Sequence, residues 1–257
     1  MSWDKRWMRR NFAGAAPHYD RLAGLQRQIG EKLLSDLPRE APRGWMADVG
    51  AGTGWCGRQM ARRYPSTPLL VLDIAVGMVE EARKRPSARE VKFVAGDIEA
   101  LPLASASVAL VISNLALQWC LDPDQALREM ARVLPAGGHL LLSTFVSGTL
   151  EELRLAWSEV DDYSHVNEFI SLRRLRRALA SAGFREWRVA VEPMTLGYAT
   201  LRDLFRDLKG IGAHNVTSRR PRHMLGKGRL NRLESLYPRQ SGRLVATFLP
   251  AYVSAVK

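Results

Sequence analysis

Cysteine is nearly absent from this chain. Only Cys56 and Cys120 occur, with neither a paired spacing nor a histidine cluster beside them, which excludes a disulfide framework or a zinc site as the organising device. A reducing cytoplasm and a metal-free protein are the expectation. Acidic residues are also in deficit: 26 Asp and Glu face 38 Lys and Arg, for a formal charge of +12. That surplus is compatible with an acidic partner such as nucleic acid, a membrane surface or an acidic protein, and equally with a solvated basic surface. No apolar stretch follows the charged Met1 to Arg10 segment, so a secretory signal is not expected. The longest uncharged run, Ala100 to Leu121, is long enough to raise a transmembrane question. Pro102, Ser105, Ser107, Ser113, Asn114 and Gln118 interrupt it, and a buried strand with flanking loops is the better reading. Internal repeats and low-complexity tracts are missing too, so a soluble globular protein is expected.

What is present is an alternation of two periodicities. Tyr19, Leu22, Leu25, Ile29, Leu33 and Leu37 fall at steps of three or four and predict one helix with a single apolar stripe. Short apolar runs then predict strands at Trp45 to Val49, Pro68 to Leu72, Val91 to Ala95, Val108 to Ser113 and His139 to Phe145. Between them, helical patterns cover Trp55 to Tyr64, Val76 to Arg85 and the segment from Asp122 to Leu134. Further helices are expected over Thr149 to Asp161 and Ser171 to Ala182, with single strands over Arg185 to Thr195 and Arg243 to Val256. Strands separated by helices imply a parallel sheet covered on both faces. A long insertion, roughly Thr200 to Gly242, carries a helix over Leu201 to Leu208 and then a stretch rich in glycine, arginine and histidine. Insertions of this length are usually functional covers.

The first strand runs into Asp48-Val49-Gly50-Ala51-Gly52-Thr53-Gly54, where glycines let a backbone approach a ligand closely. A nicotinamide fingerprint would place its third glycine where Trp55 stands, so the spacing weakens the dinucleotide reading. Asp73 closes the second strand, where a carboxylate can accept both hydroxyls of an adenosine ribose, and Asp97 closes the third, where it can accept from the adenine amine. Each aspartate alone reads as a helix cap or turn residue. All three in register with a glycine loop point to an adenosine ligand.

This constellation resembles the class I S-adenosylmethionine-dependent methyltransferases, whose further motifs are matched by Asp97-Ile98 and by Leu134-Pro135-Ala136-Gly137-Gly138. The resemblance implies an α/β, Rossmann-like fold: a seven-stranded, mostly parallel sheet with helices on both faces, an N-terminal helical segment, and a helical insertion before the last strand forming a lid. It also implies S-adenosyl-L-methionine as cofactor, with S-adenosyl-L-homocysteine as product. Gly50, Ala51 and Gly52 would face the methionine part, Ile74 and Met78 would flank the adenine, and Asn114 would lie near the sulfonium. Asp48 and Gly54 belong to the same loop motif. Met78 has a simpler reading as core filler.

Nearly the whole chain is similar to one family, the malonyl-[acyl-carrier protein] O-methyltransferases of biotin biosynthesis. The more particular matches are Ser113-Asn114-Leu115-Ala116-Leu117-Gln118-Trp119-Cys120 and Leu208-Lys209-Gly210-Ile211-Gly212-Ala213; Phe12 to Tyr19, Leu25-Gln26-Arg27-Gln28 and the segment with His165, Asn167 and Phe169 also match. Ala51 stands where many relatives carry cysteine. The resemblance implies one domain over 1–257: an N-terminal lid at 1–40, a cofactor-binding core at 43–147, substrate and partner covers at 148–182 and 200–242, and the last strands of the sheet at 183–199 and 243–257. The partner implied is an acyl carrier protein bearing a malonyl group, with no stable nucleic acid, no membrane and a monomeric enzyme.

A malonyl half-acid has a carboxyl pKa of about 4 and is already an anionic nucleophile at neutral pH, so no general base is needed. Neutral donors near the reacting oxygen are expected. Tyr19 is the first catalytic candidate, with packing in the apolar stripe as its alternative, and His165 and Asn167 follow, with a helix cap as the alternative for His165. Trp119, Lys209, Arg219, Arg220 and Arg222 are the candidates for substrate and partner, the arginines because no acidic residue lies between Gly210 and Leu233. Another small-molecule methyltransferase, or one acting on RNA, is the rival. Against nucleic acid, Ser113-Asn114-Leu115-Ala116 stands where base amino-methyltransferases carry an Asn/Asp-Pro-Pro-aromatic run.

Overall fold

A computed structural model of the chain describes residues 5–85, 91–210 and 226–257. It opens with two helices, α1 (Lys5–Leu22) and α2 (Gly24–Leu34), where the apolar periodicity predicts one. Ala23 lies between them, and Leu22, expected in the stripe, is exposed. The stripe therefore belongs to two helices that use different faces: Ile29 and Leu33 of α2 are buried in the main core, whereas α1 buries Met8 and Ala16. The alternating core follows, with β1 (Trp45–Val49), α3 (Trp55–Arg63), β2 (Leu69–Asp73), α4 (Val76–Arg83), β3 (Val91–Ala95), β4 (Val108–Asn114), α5 (Pro123–Val133) and β5 (His139–Phe145). Next come α6 (Glu151–Ser158), α7 (Leu172–Ser181), β6 (Glu186–Val191), β7 (Met194–Tyr198), α8 (Leu201–Gly210), α9 (Lys227–Leu236), β8 (Arg239–Gln240), β9 (Arg243–Phe248) and β10 (Pro250–Val256).

Seven strands form one sheet in the order β3-β2-β1-β4-β5-β10-β6. The pairs from β3 through β5 are parallel, and β10 runs antiparallel to both its neighbours. This is the expected seven-stranded, mostly parallel sheet. Alternate residues feed two cores, because successive side chains of a strand point to opposite faces. Met46, Leu110, Ile112 and Leu141 face α2 and α3, which contribute Ile29, Leu33 and Met60. Ala47, Val49, Val111, Leu140 and Leu142 face α5 and α7, which contribute Leu127, Met130, Leu175 and Leu179. Helix starts follow the sequence signals: Asp122 accepts from the Gln125 N–H at 3.1 Å with Pro123 in the first turn, and Ser171 accepts from the Arg174 N–H at 3.2 Å.

Two segments expected as single strands are each divided. The stretch from Arg185 gives β6 and β7, and the last segment gives β9 and β10. Pro193 and Leu249 fall at the breaks, and β7, β9 and β8 make a second, antiparallel sheet of three strands beside the first. A proline cannot donate to a ladder, so the chain turns there and changes sheets. The divided segments thus position a second wall, with α8, beside the C-terminal ends of the parallel strands.

Candidate functional site

The parallel register aligns the ends of β1, β2, β3 and β4 along one edge of the sheet: Asp48 faces Val71 and Ile112, and Asp73 faces Ala95. There the loop after β1 turns by three glycines with positive φ: Gly50 (70°), Gly52 (54°) and Gly54 (76°). A side chain is disfavoured in that backbone region. At Gly50 a Cβ would also collide with the Ala116 Cβ, so the loop lies directly against the segment after β4. The N–H groups of Gly50 and Ala51 donate to Leu72 O at 2.8 and 3.0 Å, which turns the loop toward β2.

Asp73 ties that loop down. Its Oδ2 accepts from the Gly52 N–H at 2.8 Å and its Oδ1 from the Ala75 N–H at 2.8 Å. Burial raises its pKa, and the backbone donors work against the rise. Asp48, 1% exposed, accepts from the Gly57 N–H at 2.6 Å. Burial pushes its pKa up to about 7, opposed by the Gly57 N–H and reinforced by the nearby Asp73.

Asn114 is fixed at both ends of its amide: Nδ2 donates to Gln26 O at 2.9 Å and Oδ1 accepts from Ser143 Oγ at 2.6 Å. Ser143 is fully buried, and its Oγ also accepts from the Leu115 N–H at 3.0 Å. Asp97 pairs with Lys5 Nζ at 2.6 Å, and Lys5 also pairs with Glu99, so the start of α1 is clipped to the end of β3. Further along α1, Asp20 accepts from Thr53 Oγ1 at 2.5 Å and pairs with Arg85. Small residues let α1 come this close, since a Cβ on Gly77 of α4 would sit 3.0 Å from Ala13. Tyr19 packs with Phe12 against Ala16, Ala75 and Met78, and its ring lies 3.8 Å from where a Gly52 Cβ would be. Burial first, then the charges of Asp73 and Asp20, raise its pKa, so the hydroxyl stays a neutral donor.

These groups enclose a cavity of about 410 Å³. Asp48, Gly50, Ala51, Gly52, Asp73, Ile74, Met78, Asp97, Ile98 and Asn114 all line it, as do Tyr19, Trp119 and Asn167. Trp119 is held edge-on to Phe12, with ring centroids 5.2 Å apart. Of the loop residues named from sequence, Gly54 is not on the wall; it starts α3 and packs toward Ala82. Nor is His165, whose ring stacks on Trp157 at 3.5 Å while its Nε2 meets Asp161 Oδ1 at 2.7 Å. The structure does not bring His165 to Tyr19 and Asn167, because its polar edge and its ring face are both engaged within the α6 region. Arg219, Arg220, Arg222 and the side chain of Lys209 lie outside the described residues.

Sequence reasoning missed several wall residues. Lys5 and Asp20 carry no motif signal, since their partners lie far along the chain. Gln26 and Arg27 sit in a run that the family resemblance includes but to which no chemistry attaches by spacing alone. The apolar side of the cavity, with Phe145, Phe169, Leu196, Tyr198 and Phe248, depends on the second sheet. Among the described residues no group of His, Cys, Asp and Glu could hold a metal ion, and no helix is long and apolar enough to cross a membrane.

Residues 47–142 match the family model described as a methyltransferase domain. A malonyl-[acyl-carrier protein] O-methyltransferase from Methylococcus capsulatus is 43% identical over 93% of this chain and 88% of its own length. One of the same name from Gallionella capsiferriformans is 40% identical over 99% of this chain and 91% of its own. Among solved structures, a putative methyltransferase from Bacillus halodurans superposes with a TM-score of 0.64 at 19% identity, covering 90% of this chain and 99% of that one. The last likeness establishes the fold.

The buried Asp48 generates a pH prediction. Its folded carboxyl holds a proton more tightly than the unfolded one, so its ionisation destabilises the fold as pH rises from about 4 to about 7 and adds nothing further above that. Asp48→Asn keeps an acceptor for the Gly57 N–H and cannot ionise. Urea midpoints measured at pH 5 and pH 8 should therefore fall less for the variant than for the wild type. Equal falls would mean that Asp48 does not titrate in this range.

Proposed function

The chain belongs to the malonyl-[acyl-carrier protein] O-methyltransferases, and we propose that it methylates the free carboxylate of a malonyl group carried as a thioester on acyl carrier protein, an early step of biotin biosynthesis. The observation that carries this reading is the division of one cavity along the sheet edge. Acidic and glycine residues from β1 to β3 stand at one end, and aromatic and aliphatic residues from β5, β7 and β9 stand at the other.

The first end fits S-adenosylmethionine. A glycine loop on the cavity wall, a buried carboxylate at Asp73 and a half-buried one at Asp97 match a nucleoside with hydroxyl and amine donors. When bound, the cofactor supplies an electrophilic methyl group. Asp73 would accept from the ribose, Asp97 from the adenine amine, and Ile74, Met78 and Ile98 would flank the base. Lys5 already engages Asp97, so a ligand there has to share or displace that ion pair.

The second end fits a thioester arm. Malonate arrives as its own nucleophile, so this chain need only orient an oxygen and exclude water, and orientation can supply roughly 7 to 11 kcal/mol. Tyr19 would donate to the reacting carboxyl, since a neutral donor orients the anion without clamping it against its own neutralisation in the transition state. Asn114, locked by Ser143 and Gln26 O, would hold the reaction centre, and Asn167 and Trp119 would line the approach. We read 1–40 and 200–242 as covers over the two ends, with Lys209, Arg219, Arg220 and Arg222 meeting the acidic carrier. The enzyme on this reading is a cytoplasmic monomer that needs no metal.

Incubation with malonylated carrier protein and S-adenosylmethionine, followed by mass spectrometry, should show the gain of one methyl on the acyl group. Methylation of RNA alone would support the nucleic-acid rival. Two variants separate the ends of the cavity. Asp73→Ala should remove measurable affinity for S-adenosylhomocysteine in calorimetry, and retention of wild-type affinity would place the cofactor elsewhere. Tyr19→Phe should keep that affinity and slow turnover by about a hundredfold, as loss of one positioned donor does. Unchanged turnover would assign Tyr19 to packing.

A further inference from the structure

The apolar end of the cavity carries one carboxyl group. Among the described lining residues that β5, β7, α8 and β9 contribute, only Asp207 has one, and none is a cation. Asp207 stands on α8, three residues after the buried Leu204 and one before the half-buried Leu208, so it flanks the apolar face of the helix. It is exposed and still lines the cavity, which puts it where the cavity meets solvent. Tyr198 closes β7 opposite Leu244 and is buried, and its hydroxyl donates to the Asp207 side chain. Burial, then the Asp207 charge, raises the pKa of that hydroxyl, so it stays a donor at neutral pH.

Two neighbours show that this pairing is directed. Tyr237, within electrostatic reach of Tyr198, is buried, and among the described residues its hydroxyl has no hydrogen-bond partner. Tyr198 therefore turns its one proton to the mouth of the cavity and not inward to that hydroxyl. Arg206, next to Asp207 in the chain, pairs with Asp203 at 2.9 Å, and among the described residues no cation pairs with Asp207. A carboxylate has two oxygens, so one donated bond leaves acceptor capacity at the cavity wall. Phe145, Phe169, Leu196, Leu208 and Phe248 supply the surroundings, all apolar. A polar group that leaves water there costs free energy unless it finds a partner, and an N–H finds one in Asp207. A second anion would be repelled from the same place.

The geometry points to Asp207, held by Tyr198, as the acceptor for an amide N–H of the arm that brings the acyl group, and so as a residue that selects amide-bearing thioesters. The inference rests on the functional reading above, since a carrier-bound malonyl group arrives on pantetheine, a neutral chain with two amides. The same carboxylate keeps the malonyl anion from settling at the mouth and leaves it the nucleoside end, where the methyl group is. Tyr198 is on this account a positioning residue: it fixes one oxygen of Asp207 and leaves the other for the arm.

Three malonyl thioesters that differ only in the arm test this: malonyl-pantetheine with two amides, malonyl-N-acetylcysteamine with one, and malonyl-ethanethiol with none. Release of S-adenosylhomocysteine at saturating S-adenosylmethionine gives kcat/KM for each. The wild type should prefer the amide-bearing thioesters. In Asp207→Ala that preference should shrink about threefold to tenfold, the worth of one hydrogen bond to an exposed carboxylate. Asp207→Asn, which keeps an acceptor but not the charge, should lose less, and it serves if the alanine variant does not fold. Tyr198→Phe, which unties the carboxylate without removing it, should also lose less. An unchanged preference in Asp207→Ala, or an equal loss on all three thioesters, would overturn the subsite and leave the pair as a brace between β7 and α8. A wild type that methylates all three alike would overturn it too, while the functional reading stands. If the wild type methylates none, calorimetry of malonyl-pantetheine with S-adenosylhomocysteine present decides. Binding that weakens in Asp207→Ala would keep the subsite and retire the methyl-transfer reading, and no binding, or equal binding, would retire both.

Discussion

The parallel register of β1 between β2 and β4 is the constraint on which the site depends. It places Asp48, Asp73 and Asn114 at the ends of adjacent strands, so three polar side chains reach one edge without any loop having to carry them there. The same alignment leaves the glycine loop a single course, with two N–H groups on Leu72 O and Asp73 holding Gly52. Both faces of those strands are buried, which fixes the register, because a slip by one residue would exchange the two cores.

Legibility in the sequence follows the range of the interaction. The strands, the caps at Asp122 and Ser171, and the glycine loop are local, and residues close in the chain specify them. The aspartates are legible for the same reason: strand ends recur at regular intervals in an alternating fold. The break at Ala23 is different, since α1 turns to lie on α4 through Ala13 and Gly77, a contact between distant segments that a single periodicity cannot register. The second sheet is likewise non-local: Pro193 marks one break, but the pairing of β7, β9 and β8 joins segments far apart in the chain. His165 shows how a motif match can name a residue without its role: Trp157 and Asp161, eight and four residues before it, engage the ring away from the cavity.

Much of the electrostatic character of the site comes from α1, whose two ends bring Lys5 and Asp20 to the cavity wall. Lys5 faces Asp97 and Glu99, and Asp20 faces Thr53 and the arginines of α3 and the segment after α4. Exposed pairs of this kind contribute little each, but these are partly buried and add to the packing of Phe12 and Tyr19 and to the close approach at Gly77. The helix is therefore held over the site by charge at its ends and by close packing in its middle.

The strand that follows all others in the chain, β10, lies inside the large sheet, with β5 on one side and β6 on the other. During synthesis the ribosome delivers it after everything it must join. Until then β5 keeps an unpaired edge and β6 has no partner in that sheet, although the glycine loop and the four strands around it are already made. Unpaired edges are templates for association with other chains. The nascent protein thus passes through an interval in which the cofactor half can be formed while the sheet is open, and the arrival of Pro250 to Val256 ends that exposure by closing both edges at once.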